Sequence, residues 1–207
     1  SALMRVGKSD EADAEFREAR RLKPDDWVVR DQIALALADW GELAAAVDEQ
    51  RESVRRFPNL AGVHKALAHA LQSAGRLDDA IAEFREAVRL QPRYSAGYLY
   101  LGRALVDAGD YRSALEALAR VDPGPPSADP ILSPSTLASR AELLQSLESR
   151  LAAVLQENER PAGAEECADC ARIAFSRHLY EGSARLWSDV FDAAPNFAAD
   201  LIMGNHF

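Results

Sequence analysis

The sequence predicts an all-α solenoid of antiparallel helical hairpins, and three residue series carry that prediction. Glycines fall at Gly7, Gly41, Gly75 and Gly109, alanines at Ala12, Ala46, Ala80 and Ala114, and prolines at Pro24, Pro58, Pro92 and Pro126. Neighbours in every series stand 34 residues apart. Three residue types locked to one interval mark an internal repeat, and a period of this size means a stacked array.

Each element of the repeat follows from local chemistry. In residues 61–73, Val63, Leu67, Ala70 and Leu71 lie at i, i+4, i+7 and i+8, one face of a helix. Gly75 breaks that helix, because glycine enters a left-handed cap cheaply. Over residues 78–90, Ala80, Ile81, Phe84, Ala87 and Val88 form a second apolar stripe. Pro92 stands past its end, where a missing N–H and a fixed φ stop the helix. Ala34, Ala68 and Gly102 recur in first helices, and Ala46, Ala80 and Ala114 in second helices, so paired helices approach closely. Phe16, Phe84 and Leu118 fill the space beside those crossings.

These residues resemble the tetratricopeptide repeat (TPR). Residues 95–126 match it best: Tyr98, Leu101, Gly102, Leu105, Gly109, Tyr111, Ala114 and Pro126 occupy its aromatic, Leu-Gly, turn, aromatic, Ala and Pro positions. Arg30 and His64 replace the first aromatic, and Gln50 the aromatic of the second helix. The resemblance implies a TPR-type α-solenoid winding as a right-handed superhelix. The expected division is the second half of a repeat at 1–26, repeats at 27–60, 61–94 and 95–126, and a proline-rich connection at 127–136. A long helix at 137–160, a degenerate repeat at 161–197 and the start of a further, truncated helix at 198–207 complete it. A chain that begins and ends inside repeats is expected to be a piece of a longer polypeptide.

The repetition stops after Val121. The stretch DPGPPSADPILSP holds five prolines in thirteen residues and is no helix interior. Ser133-Pro134 then reads as a cap followed by proline at the first helical position, opening a helix over 135–157. Leu137, Leu144, Leu147, Leu151 and Leu155 form its stripe. Counting back from Pro195 puts Cys167 and Cys170 at the first aromatic and Leu positions, and Ala171 at the Gly position. Ser183 then takes the Ala position and Trp187 the second aromatic one.

Residues 151–201 carry a narrower resemblance, to TPR arrays that follow the kinase domain of large bacterial serine/threonine protein kinases. The LAAVL helix, the acidic stretch before RPA, HLYEGSARLW and DAAPNFAADL are the matching features. That resemblance implies an accessory region in a bacterial, cytoplasmic protein. No kinase catalysis attaches to this segment, which lacks the Gly-rich loop, HRD and DFG motifs.

Composition narrows the function. With 48% apolar and 28% charged residues the chain reads as an ordinary globular protein, and no apolar run approaches a membrane span. The net charge of −9 argues against nonspecific binding to nucleic acid or anionic membranes, so neither is an expected partner. Acidity is uneven: residues 59–126 carry eight basic and eight acidic side chains, whereas residues 137–207 carry six and eleven. Two cysteines in a chain of this length point to a reducing compartment.

No motif for chemistry emerges. Cys167-x-x-Cys170 would need an activated thiolate for redox work or further ligands for a metal. No second CxxC exists, and the register puts both thiols on a buried face. The four histidines, His64, His69, His178 and His206, show no ligand spacing; His64 reads as a packed aromatic substitute, and His178 falls at the turn position. Asp78, Asp79, Glu83 and Glu86 are expected to pair with Arg76, Arg85 and Arg89 along a helix surface. The expectation is a non-enzyme without cofactor or metal.

In a TPR superhelix first helices line the concave face, which here presents Asp31, Gln32 and Leu35, then Lys65 and His69, then Leu99, Tyr100 and Arg103. Lys65, Arg103 and Tyr100 are suited to a carboxylate or phosphate beside an apolar side chain. The chaperone-tail clamp of some TPR proteins is not expected, since Asp31, Leu35 and Tyr100 stand where it needs Lys or Asn. The leading reading is a noncatalytic protein- or peptide-binding scaffold. A second is self-association through unfinished ends; a third and weaker one is a sensor centred on Cys167 and Cys170.

Overall fold

The computed structural model describes residues 14–122 and 133–194. The proline-rich stretch 123–132 and the helix expected at 198–207 lie outside the described residues. Among those described, every regular element is a helix. They are α1, described over 14–22, α2 (Trp27–Asp39), α3 (Leu43–Arg56), α4 (Ala61–Ser73), α5 (Leu77–Leu90), α6 (Ser95–Asp107), α7 (Tyr111–Leu118), α8 (Pro134–Leu155), α9 (Ala164–Ser176) and α10 (Tyr180–Ala193). The chain is an all-α, TPR-type α-solenoid.

It divides into two compact units. Unit 1 takes residues 1–104 and 120–122, and unit 2 takes 105–119 and 123–207, so the division falls inside α6. Within unit 1, α2 packs on α3, α3 on α4 and α4 on α5. Within unit 2, α7 packs on α8, α8 on α9 and α9 on α10. The small residues sit where close packing demands them: Ala46 is 1% exposed, and Ala80 and Ala114 are wholly buried. Phe84 fills the space beside Ala80 with no exposure of its own.

The punctuation has one geometry throughout. At Gly75, φ is +72°, its N–H donates to the Gln72 carbonyl at 3.0 Å, and the next N–H, of Arg76, donates to the Leu71 carbonyl at 2.9 Å. This pair of hydrogen bonds satisfies two carbonyls that a helix end otherwise leaves without partners. Gly41 and Gly109 repeat it. His178 and Glu157 also repeat it, at φ 61° and 60°, although neither is glycine. Glu157 explains why the long helix stops at Leu155, short of the 157 and 160 limits expected from sequence. Its start follows the cap reading: the Ser133 hydroxyl accepts the Thr136 N–H at 3.1 Å, with Pro134 in the first turn.

Three hairpins are closed by a contact between residues 19 apart. In the first, Arg30 Nη1 donates to Glu49 Oε1 at 3.1 Å. One repeat later, His64 Nδ1 lies 2.7 Å from Glu83 Oε2, and His64 Nε2 lies 2.9 Å from the Pro58 carbonyl. In α9–α10, the Cys167 thiol donates to the Leu186 carbonyl at 3.4 Å. Arg30, His64 and Cys167 all occupy the first-aromatic position and all are buried. His64 therefore fills the aromatic slot as a buried ring that is also hydrogen-bonded through both nitrogens. Glu83 correspondingly leaves the expected surface ladder, in which Arg76 pairs with Asp79 and Arg89 with Glu86. Gln50, 2% exposed in a second-helix aromatic position, donates to Asp31 Oδ1 at 2.7 Å.

Candidate functional site

The eight residues expected on the binding face all fall in first helices of unit 1. Asp31, Gln32 and Leu35 lie on α2, Lys65 and His69 on α4, and Leu99, Tyr100 and Arg103 on α6. Gln32, Leu35 and Arg103 are exposed, with Leu35 at 52%, while Asp31, Lys65, His69, Leu99 and Tyr100 are half-buried. Asp31 is held by the Gln50 amide, which takes up part of its capacity as an acceptor.

His69 forms the middle of an aromatic cluster. Its ring meets Tyr100 edge-on at 4.5 Å and Phe84 edge-on at 5.2 Å, while Phe84 and Tyr100 stack at 6.1 Å. Such offset and T-shaped arrangements are the favoured aromatic geometries. Burial first, and then the Lys65 and Arg103 charges, depress the His69 pKa to about 4, against a smaller opposing effect of Asp31. The ring is thus neutral near pH 7 beside two cations. Neither Lys65 nor Arg103 forms an ion pair among the described residues, whereas Arg20, Arg30, Arg51, Arg56, Arg76 and Arg89 of the same unit all do. Phe84 was legible in sequence only as core; here it also backs the rings of the face.

The second sequence candidate behaves differently. Cys167 and Cys170 are both free and buried. Burial, then the charges of Asp189 and Glu166, push the Cys167 thiol up, and burial together with Glu166 raises Cys170 to about 11. A thiol held protonated is a poor nucleophile and a poor metal ligand. Both cysteines instead belong to the apolar core of unit 2, with Leu147, Leu151, Ala168, Ile173 and Val190. Among the described residues no group of three His, Cys, Asp or Glu side chains is placed to hold a metal. None of the described helices is long and apolar enough to cross a membrane.

Comparison with known proteins agrees with this fold. A tetratricopeptide repeat family model matches residues 65–128. No curated protein matches the sequence. Among solved structures, the TPR domain of P58(IPK) aligns with a TM-score of 0.55 at 16% identity, covering 83% of this chain and 52% of that one. YrrB, described as a TPR protein with an unusual peptide-binding site, aligns at 0.50 and 19% identity over 92% and 97% of the two chains. MamA from Desulfovibrio magneticus RS-1 aligns at 0.50 and 19% identity over 82% and 95%.

Proposed function

We propose that this chain is a noncatalytic scaffold that binds a protein or peptide on the first-helix face of unit 1. One observation carries the reading: Lys65 and Arg103 lack ion-pair partners among the described residues and stand beside a neutral ring cluster of His69, Tyr100 and Phe84. Unpaired cations next to half-buried aromatic rings suit a carboxylate or phosphate followed by an apolar side chain. Gln32 and Leu35 extend the same face, and Leu99 borders Tyr100. The peptide-binding site ascribed to YrrB accords with such a role for this fold, at a likeness that concerns the fold alone.

The test uses a fluorescent acidic peptide, acetyl-Glu-Glu-Leu-Glu-Glu-amide, titrated with the chain. Lys65→Glu combined with Arg103→Glu should weaken binding about 100-fold, as two attractive charges become repulsive, with an unchanged melting curve. Equal binding by this variant places the site elsewhere. The finer reading, an accessory region of a bacterial cytoplasmic serine/threonine kinase, rests on the resemblance of residues 151–201. A kinase domain encoded in the same polypeptide is its direct check. Self-association is checked by light scattering over a range of concentrations, where a constant monomer mass rules it out.

A further inference from the structure

His64 closes the α4–α5 hairpin between two oxygens. Its Nδ1 lies 2.7 Å from Glu83 Oε2, and its Nε2 lies 2.9 Å from the Pro58 carbonyl. A carbonyl and an ionised carboxylate only accept, so both bonds form only when both ring nitrogens carry protons. The neutral ring has one N–H and one lone pair, and either tautomer turns that lone pair against an oxygen. The His64 side chain is 8% exposed, which leaves little room for water to replace a lost bond. A proton on Glu83 would satisfy the same geometry. A carboxyl is the stronger acid, however, and the Glu83 side chain is 27% exposed, so the imidazole holds the proton.

The equivalent contact one repeat earlier lacks this property, because Arg30 keeps its donors at every accessible pH. Both α2 and α3 also pack on α4, and there Arg30 pairs with Glu49, and Glu52 with Arg55 and Arg56. On α5, Glu86 pairs with Arg89, which holds its carboxyl below the usual carboxylate range, with a further contribution from the His64 charge. Lys65 follows His64 on α4, and its charge acts on His69. Among the described residues, Glu83 is the ion-pair partner of His64.

We propose that this contact is a proton-operated clasp: His64 is an imidazolium in the folded chain, and the α4–α5 hairpin loosens when the second ring proton leaves. Closing the hairpin then takes up a proton, so the folded chain binds more protons than the unfolded one, and stability falls as pH rises. A histidine in an unfolded chain gives up that proton at about pH 6.5. The contribution of the clasp is therefore complete below that pH and is lost above it. Helix α4 also carries Lys65 and His69, but the inference concerns the hairpin and holds whether or not that face binds a partner.

The test uses the full chain and no ligand. In two-bond 1H–15N spectra at pH 7, both His64 nitrogens should resonate mainly as protonated, the signals being assigned by their loss in His64→Gln. Hydrogen-exchange protection of the α4 and α5 amides, corrected for the intrinsic pH dependence of exchange, should fall about fivefold from pH 6 to pH 8. Glu83→Gln keeps a hydrogen bond, because an amide donates to the neutral ring, and removes the need for the extra proton. Its protection should change less than about twofold over the same range. His69, held at about 4, stays neutral throughout and does not contribute. A mainly neutral His64 ring at pH 7 overturns the proposal, and so does an equal fall in protection in Glu83→Gln and the wild type.

Discussion

Units 1 and 2 use the same hairpin and the same turn, yet they close and charge it differently. In unit 1 the 19-residue contact joins ionisable side chains, Arg30 to Glu49 and His64 to Glu83. In unit 2 it joins a thiol to a backbone carbonyl. Among the described residues, Lys65 and Arg103 of unit 1 form no ion pair beside a neutral histidine, while Asp189 of unit 2 forms none near a protonated thiol. One backbone plan therefore supports different closures, because the repeat dictates small residues and turns but not the polar group that closes each hairpin.

The comparison breaks most visibly at Glu49. Glu49→Ala leaves Arg30, a buried guanidinium, without its carboxylate and should cost ~3–5 kcal/mol in denaturant unfolding. Cys167→Ala at the matching contact of unit 2 removes only a weak thiol bond and a small side chain, and should cost about 1 kcal/mol. Equal losses would mean that the two closures contribute alike.

Next in size is the helix crossing. Ala80 is wholly buried, so Ala80→Leu should overpack unit 1 by ~1–3 kcal/mol, read as a lowered thermal midpoint. Its counterpart Ser183 donates to the Ala171 carbonyl at 2.8 Å, and Ser183→Ala should cost about 1 kcal/mol.

Acid and alkali should separate the units. His69 has a folded pKa near 4, below its ordinary 6.5, so its contribution is complete above pH 6.5 and is lost as pH falls towards 4. Cys170 is raised from 9.0 to about 11, so its contribution is complete below pH 9 and is lost as pH rises towards 11. Stability measured against pH should lose part of its acid limb in His69→Phe and part of its alkaline limb in Cys170→Ala. Parallel profiles for both variants and the wild type would remove the contrast.

The smallest effect concerns the turns. His178 holds a left-handed conformation that glycine takes at Gly41, Gly75 and Gly109, and His178→Gly should stabilise unit 2 by up to about 1 kcal/mol. Gly75→Ala should destabilise unit 1 by ~1–2 kcal/mol through backbone strain alone, since a Cβ there meets no atom within 4 Å. Unfolding midpoints of the two variants should move in opposite directions.

The parts of this architecture legible in sequence are those dictated by backbone geometry. Gly75 and Ala80 could be read because a left-handed turn and a close crossing each admit few residues. Ser133 and Pro134 were legible for the same reason. Arg30, Gln50 and His64 were not, because an aromatic-sized slot accepts any side chain whose polar atoms find partners, and those partners sit on another helix. Glu83 was misplaced for that reason: its spacing to Arg76 and Arg89 says ladder, while its hydrogen bond goes to α4. The first-helix placement of the proposed face residues followed from register, but the Phe84 backing and the neutral state of His69 come from tertiary packing.

The contact between residues 19 apart gives the solenoid a second, shorter interval beside the 34-residue one. The long interval governs how hairpins follow one another along the chain; the short one governs how a single hairpin shuts. Arginine with glutamate, histidine with glutamate, and cysteine with a carbonyl all shut it with the same helices in place. Each hairpin therefore carries its own interchangeable clasp, and a clasp can be rewritten without re-registering the array around it.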